Sequence, residues 1–124
     1  MKYEIVDVTL KDKEKLYKLL QFVLYDGSQY IDNDINDNLV FEYNWFDNYF
    51  TYNDRNAYFI KSDNKYLGMV MVNENLKFNN KGKCVAEFLI MPNIEDIILV
   101  RRLLMIYLEN LKVIGKFNQW KIIQ

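Results

Sequence analysis

The sequence predicts a single α/β domain in which helices flank a mixed, mostly antiparallel β-sheet. Residues 3–10 alternate apolar and polar side chains with the period of a strand, and the chain then changes to helical spacing. Three more strand-like segments follow in the middle of the chain, with a helix and a strand after them. The 124 residues, 51% of them hydrophobic, suffice for one domain with its own core.

Two helices are expected between the first strand and the central ones. Residues 11–27 form the first, with an apolar stripe and Gly27 as its end. A polar loop follows, and the spacing of aliphatic and aromatic residues then predicts a helix over 39–50 that packs its rings on the sheet. The positions that define this second helix are Leu39, Tyr43, Phe46 and Phe50.

The central strands are "NAYFIKS", "KYLGMVMVNE" and "KCVAEFLIMP". The pair Asp63 and Asn64 predicts a hairpin turn between the first two. Residues 94–112 then have helical spacing, and "NQWKIIQ" is interpreted as a final strand.

Composition excludes several classes of function. There is no histidine, which removes Ser/His/Asp and Cys/His nucleophilic catalysis, and Cys84 stands alone, without a disulfide partner. A formal net charge of −1 gives no basic field for nucleic acid. No segment has the length of a membrane span or the form of a signal peptide, so we expect a cytoplasmic protein without nucleic-acid or membrane partners.

The loop "DNDINDNLVFEY" resembles a calcium loop only superficially. Asp32, Asp34 and Asn36 alternate as ligands would, but Asp37 occupies the position that needs glycine, and Tyr43 occupies the position that needs a bidentate glutamate. We therefore predict a solvated loop and no metal site.

Glu87 lies within an otherwise apolar strand, where a carboxylate is costly unless it faces water or a partner. Two interpretations remain open. In one, Glu87 shares the exposed face of a half-buried strand with Val85 and Leu89. In the other, apolar neighbours raise its pKa toward neutrality and it acts as a general base. The aromatic set at 41–50 is interpreted as core, or as a groove for an amine-bearing substrate.

Several long segments of the sequence resemble the GCN5-related N-acetyltransferases, in particular a small bacterial branch of predicted acetyltransferases. These segments are "LYDGSQY", "FEYNWFDNYF", "YFIKSDNKYLGMVMVNE" and "KGKCVAEFLIMP", and the resemblance covers about residues 3–92. It implies a sheet that opens between its fourth and fifth strands to hold acetyl-CoA. The fourth strand would be "VAEFLIMP".

The resemblance also implies an activity and its residues. The chain would transfer an acetyl group from acetyl-CoA to a small amine or a peptide amine by direct attack, with Glu87 as the catalytic base. The backbone of Leu89, Ile90 and Met91 would pair with the pantetheine arm. The residues expected to border the acceptor are Asp26, Tyr30, Glu42 and Trp45.

The sequence departs from the family pattern after Pro92. The family has a glycine-containing loop there, whose N–H groups approach the pyrophosphate. This chain has "NIEDIILVRRLL" instead, with no glycine between Gly82 and Gly115, and Glu95 and Asp96 would repel phosphate. Residues 93–124 are therefore interpreted as a divergent tail that truncates the family fold.

We hypothesise that this tail is frameshifted. In a frame that begins one base earlier, each codon takes its last two bases from the first two bases of a codon used here. The codons of Glu95 and Asp96 both begin with GA, so each gives xGA, which encodes arginine when x is A. Suitable AT-rich codons for the following residues then give glycine and paired lysines in register, as in a family-like loop. The nucleotide sequence across the Pro92 codon, together with the intact mass of the protein, tests this hypothesis.

Helix 94–112 is expected to bury one stripe and expose another. The predicted buried stripe comprises Ile94, Ile97, Ile98, Leu104, Met105, Leu108 and Leu111. The apolar residues expected to remain exposed are Leu99, Val100, Leu103, Ile106 and Tyr107. Such a patch favours a homo-oligomer. The alternative to an active acetyltransferase is accordingly an inactive, self-associating α/β module that has lost acetyl-CoA binding.

Overall fold

A computed structural model describes residues 3–73, 83–92, 97–110 and 113–114, with backbone alone at 83, 84, 110, 113 and 114. The elements are, in order, β1 (Tyr3–Asp7), a 3-10 turn (Leu10–Asp12), α1 (Lys13–Gly27), α2 (Asn48–Thr51), β2 (Arg55–Ser62), β3 (Lys65–Asn73), β4 (Lys83–Ile90), α3 (Ile97–Asn110) and β5 (Val113–Ile114). This order confirms the predicted succession of elements as far as α3, and β5 was not predicted at its position. The predicted strand "NQWKIIQ" lies outside the described residues.

The sheet runs β1-β2-β3-β4-β5. Its first three pairings are antiparallel, and β4 pairs with β5 in parallel through residues 83–84 and 113–114. Asp63 and Asn64 form the β2–β3 turn with φ values of 48° and 70°, as the tightest hairpin turns require. The mixed, mostly antiparallel sheet with flanking helices is the predicted fold class. No described helix is long and apolar enough to cross a bilayer.

Each face of the sheet has its own core. One face packs against α3 and buries aliphatic residues, among them Ile60, Val70, Ile90, Val100 and Leu104. The other packs against α1 and α2 and contains Leu16, Leu20, Phe46, Tyr49, Phe59 and Met71. Leu16 and Leu20 are one helical turn apart, which gives α1 the buried stripe that its spacing predicts.

Gly68 allows β3 and β4 to approach closely. A Cβ atom at this position would lie 2.0 Å from the Leu89 carbonyl oxygen. Because that distance is far below van der Waals contact, any side chain here would push the two central strands apart. Gly68 therefore fixes the geometry of the strand that carries Glu87.

The predicted helix over 39–50 is wrong in length. Only Asn48–Thr51 is α-helical, while residues 44–47 form turns. Leu39 has φ 63° and is 75% exposed, so it cannot belong to a buried helical stripe. Phe46 and Tyr49 are nevertheless buried against the sheet, so the expected aromatic packing is confirmed without the expected helix.

The predicted stripe of α3 is partly wrong. Ile98 is 68% exposed, whereas Val100 is 1% exposed and Tyr107 packs against the core. Residues 100, 104 and 108 face the sheet, which is an i, i+4, i+8 stripe. Because the helix is apolar on nearly every side, the sequence did not distinguish this stripe from other possible buried stripes. Leu99, Leu103 and Ile106 are exposed as expected. Ile94 and Leu111 lie outside the described residues.

Candidate functional site

A β-bulge in β4 positions Glu87. Val72 pairs with Val85, but Met71 pairs with Glu87, so Ala86 is an extra residue without a partner on β3. The bulge reverses the alternation of side chains. Val85 packs with the α3 core, while Leu89 lies in the core on the opposite face. The expectation that Val85 shares a face with Glu87 and Leu89 is therefore wrong, because a regular strand was assumed.

Glu87 is half-buried on the face of α1 and α2. Burial raises the pKa of its carboxyl group to about 7, since the ionised form loses hydration in an apolar setting. A carboxyl group that titrates at this pH can accept a proton from a substrate in neutral solution. Glu87 is therefore not an outward-facing surface residue, and its role as a general base stays a prediction.

Two tyrosines lie beside this carboxyl group. Burial raises the pKa of Tyr43, and Tyr49 and Glu87 raise it further. Burial also raises the pKa of Tyr49, whose hydroxyl group is buried without a hydrogen bond of good geometry. Asn73 is another neighbour of that hydroxyl group. Both phenols therefore stay neutral at physiological pH and present polar atoms next to Glu87.

Arg55 places a cation at the far side of this cluster. Its guanidinium lies 5.7 Å from the ring centre of Trp45 and 5.8 Å from that of Tyr49. Its side chain is only 11% exposed, and its Nε atom lies 3.8 Å from Asp54 Oδ1, too far for a hydrogen bond. Arg55 is thus held chiefly by aromatic faces. It connects Trp45 to the cluster around Glu87 through Tyr49.

The segment that carries Tyr43 is anchored to α1 by one side-chain amide. Gln21 Nε2 donates to the Phe41 carbonyl at 2.9 Å, and Phe41 N–H donates to Gln21 Oε1 at 2.7 Å. The Tyr17 hydroxyl group donates to the same carbonyl at 2.7 Å. These bonds satisfy both backbone groups of a buried residue in a segment without regular structure. They fix the position of Tyr43 relative to the sheet.

The outer edge of β4 is open in the part of the chain that the structure describes. There, β5 covers only residues 83–84. Met91 N–H donates to the Leu67 carbonyl at 2.8 Å, so this amide is directed toward β3. Backbone direction alternates along a strand, which leaves Ile90 as the one residue among Leu89, Ile90 and Met91 whose amide and carbonyl point to the open edge.

The four predicted acceptor residues lie in different places. Trp45 is 60% exposed beside Arg55. Glu42 is exposed and accepts a bond from Asn36 Nδ2 at 3.0 Å. Asp26, at the end of α1, accepts from Gln29 Nε2 at 3.2 Å, and Tyr30 just beyond is 71% exposed. The contacts described here connect Trp45 to the Glu87 cluster, and the roles of all four stay predictions.

Sequence inspection missed Arg55 as a member of the site and treated Tyr43 and Tyr49 only as general aromatic residues. A cation directly before an apolar strand, after a segment rich in rings, was the available signal. Neither its partners nor its burial follows from local sequence, because β2 and α2 meet only in the folded chain. No group of acidic or cysteine side chains suited to a metal occurs among the described residues.

Acetyl-CoA would fit one part of this site better than the other. The open edge beside Ile90 offers backbone groups to an extended amide-containing arm. The start of α3 offers less to a diphosphate, because the sequence has Glu95 and Asp96 there and no glycine. Residues 93–96 lie outside the described part of the chain.

Comparison with known proteins supports the architecture and no finer identity. No protein-family model matches the chain, and no curated protein matches its sequence. The chain is similar in structure to a ribosomal-protein-alanine N-acetyltransferase from Brucella melitensis biovar Abortus 2308. The TM-score is 0.52 at 12% sequence identity, and the match covers 98% of this chain and 78% of that one. The chain thus has a fold like that of the GCN5-related N-acetyltransferases.

Proposed function

We propose that this protein is an N-acetyltransferase that transfers the acetyl group of acetyl-CoA to an amine. The observation that carries the proposal is the half-buried Glu87, with its pKa raised to about 7, on a bulged strand beside an open sheet edge. The structural neighbour, whose printed name is that of an N-acetyltransferase, has the same architecture. The acceptor is a small amine or the amine of a peptide.

The reaction requires no nucleophile from the protein. The neutral amine nitrogen attacks the thioester carbonyl carbon, a C–N bond forms, and the C–S bond breaks to release the CoA thiolate. Glu87 accepts the proton that the nitrogen loses, directly or through water. The thiolate takes up a proton from solvent. The absence of histidine is no obstacle, since one carboxylate near neutral pKa supplies the base.

The aromatic cluster gives the acceptor its surroundings in this proposal. Trp45 is exposed enough to contact an incoming substrate, while Tyr43 and Tyr49 lie close enough to interact with both Arg55 and Glu87. A cationic amine would be attracted by the ring faces before it loses its proton. The half-buried Tyr43 and the buried Tyr49 shield Glu87 from solvent on one side, which helps to keep its pKa raised.

A second candidate function follows from the residues after Pro92. Glu95 and Asp96 would oppose the diphosphate of CoA, so a chain with this sequence could be an inactive module of the same fold. Under the first proposal the lost phosphate contacts weaken binding without removing the pantetheine contacts. We therefore expect a Kd for acetyl-CoA near or above about 1 mM, corresponding to about 4 kcal/mol.

Calorimetric titration with acetyl-CoA distinguishes the two candidates. Dephospho-CoA and pantetheine serve as matched ligands. If the open edge binds the arm, all three bind with Kd values within about tenfold, because the phosphates contribute little. Absence of heat and of thermal stabilisation with all three at 5 mM, a concentration on the order of the expected Kd, supports the inactive module.

Turnover is then measured as thiol release with a panel of amines and short peptides. Glu87→Gln should lower kcat/KM by about 100-fold or more, the usual share of a general base. Glu4→Gln is the matched control. It is the same substitution at an exposed residue on β1, far from β4. Equal rates for both variants would rule out Glu87 as the base.

A further inference from the structure

The outer face of α3 carries four large apolar side chains that no other described element covers. Ile98 is 68% exposed, Leu99 47%, Leu103 40% and Ile106 56%. Exposed large apolar side chains are ordinary when scattered singly, but four on one helix surface mark an interaction site. We call this surface the outer α3 face, and it also includes Arg102 and Glu109, both exposed.

Helical geometry places these six residues together. At about 100° per residue, Val100, Leu104 and Leu108 point to the sheet. Ile98, Leu99, Arg102, Leu103, Ile106 and Glu109 lie within about 140° of one another on the opposite side. The helix is therefore apolar on two opposed sides, and the sheet covers one of them.

The outer α3 face continues into a groove. Leu103 and Ile106 form one wall of a cavity of about 270 Å³, and Tyr3 and Ile5 of β1 form the other. β1 is an edge strand of the sheet, so nothing in the described sheet closes the groove beyond it. A helix placed along α3 could insert an apolar side chain into this groove. The outer α3 face thus has both protruding apolar side chains and a groove that could accept them.

The two charges on this surface have opposite signs and a defined spacing. Arg102 and Glu109 are seven residues apart, about 10 Å along the axis and nearly on one line. Neither forms an ion pair with another described residue. Two copies of α3 packed antiparallel about a two-fold axis near Ile106 would bring each Arg102 opposite the other copy's Glu109. The pattern is thus complementary to itself.

We propose that the outer α3 face binds the same face of a second copy of this chain, forming an antiparallel two-fold dimer. Ile106 lies at the axis, two reciprocal Arg102–Glu109 pairs flank it, and apolar side chains of each copy enter the groove beside β1 of the other. A two-fold interface must be self-complementary, and the spacing of Arg102 and Glu109 gives this surface a charge pattern that meets that requirement. The inference does not depend on acetyl transfer and would hold for an inactive chain.

Light scattering coupled to size exclusion tests the dimer between 5 and 500 μM, a range on the order of weak to moderate association. We expect a mass shift from monomer toward dimer with concentration. Ile106→Asp should abolish it, because the carboxylate would be buried at the axis opposite its own copy. Ile31→Asp is the matched control, since Ile31 is 68% exposed, against 56% for Ile106, lies on a different surface and should leave dimerisation intact.

Charge reversal tests the geometry of the pairing. Arg102→Glu and Glu109→Arg should each weaken dimerisation about tenfold, because two like-charge contacts replace two attractive ones. The double variant should restore the dimer. Lys65→Glu makes the same charge change at the exposed β2–β3 hairpin and should have no effect. High salt should reduce the difference between single and double variants.

Three results would overturn the proposal. They are a monomer at every concentration, a dimer that survives Ile106→Asp in a variant whose circular dichroism matches the parent, and a double reversal as weak as the singles. The last would show that copies associate without the antiparallel register. A stable complex with another protein but no self-association would assign the outer α3 face to a different partner.

Discussion

The two faces of the sheet are built on different principles. The face under α3 is mostly aliphatic, with side chains such as Val70, Ile90 and Leu104 each 1% exposed or less, and it also buries Tyr58 and Phe88. The face under α1 and α2 contains polar groups inside its aromatic packing: Glu87, the Tyr43 and Tyr49 hydroxyls, and Arg55. Both faces are shielded from much of the solvent. Among the described residues, buried polar atoms without a hydrogen-bond partner occur within the site on the second face, at Tyr49 and Arg55, and on the first face only at Ser62, at the end of β2.

This difference indicates where stability and where chemistry reside. An apolar core gains free energy from every group it buries, whereas buried polar groups without partners cost free energy. A fold keeps such groups where they serve a site. If the comparison is right, substitutions on the α3 face change the free energy of unfolding alone, and substitutions on the other face change titration and activity as well.

The largest expected effect on stability is at Leu104, on the aliphatic face. Leu104→Ala should lower the free energy of unfolding by about 2–5 kcal/mol, because it leaves a cavity between α3 and the sheet. Urea unfolding followed by circular dichroism measures this change. Leu10→Ala, at a residue 68% exposed, is the control and should cost little. A similar loss in both variants would mean that α3 does not pack as described.

Glu87 gives the next largest effect, and the effect depends on pH. Its pKa is about 7 in the folded chain and 4.5 in an unfolded one, so the folded state holds the proton more tightly. Stability is complete below pH 4.5 and falls as pH rises toward and through 7. The loss amounts to about 2–3 kcal/mol, since 1.36 kcal/mol applies per pKa unit and residual hydration reduces the total.

Glu87→Gln should remove this loss. The variant and the parent should unfold at similar urea concentrations at pH 5, and the variant should be the more stable at pH 8. Urea denaturation at several pH values between 5 and 8 measures how the difference in the free energy of unfolding between the two proteins grows with pH. Identical curves at both pH values would show that Glu87 is hydrated in the folded chain, and the proposed base would lose its physical support.

Gln21 tests how the polar face is held in place. Gln21→Met should lower stability by about 1–2 kcal/mol, because Phe41 loses a donor and an acceptor for its buried backbone groups. Tyr43 should become less constrained, so the apparent pKa of Glu87 should fall toward its ordinary value. Gln29→Met is the control at an exposed residue. Its titration and stability should match the parent.

Arg55 should have the smallest effect of the set. Arg55→Met keeps the packing volume against Trp45 and Tyr49 but removes the cation, and we expect a loss of about 1 kcal/mol. Trp45 fluorescence, measured with Trp120→Phe in both proteins so that Trp45 is the single tryptophan, should shift, because the guanidinium next to its ring is gone. Lys11→Met, at an exposed position, is the matched control. An unchanged fluorescence maximum would contradict the stacked arrangement.

Much of the fold followed from local patterns, and the errors have physical causes. α1 ended at Gly27 and Asp63–Asn64 formed the hairpin, both as predicted, since each depends on residues close together in the sequence. The helix over 39–50 failed because Gln21 and Tyr17 hold Phe41 in an irregular segment, a contact across 20 or more residues. Periodicity cannot report such a contact.

The site divides in the same way. Glu87 could be singled out from sequence because a carboxylate within an apolar strand is unusual wherever the strand lies. The sequence could not predict which face of the sheet Glu87 lies on, its raised pKa, or its neighbours Tyr43 and Arg55. These depend on a one-residue bulge and on strands that pair from distant parts of the chain. Secondary structure is largely local and could be predicted from patterns. The environment of a titratable group is set by packing, and folding alone determined it.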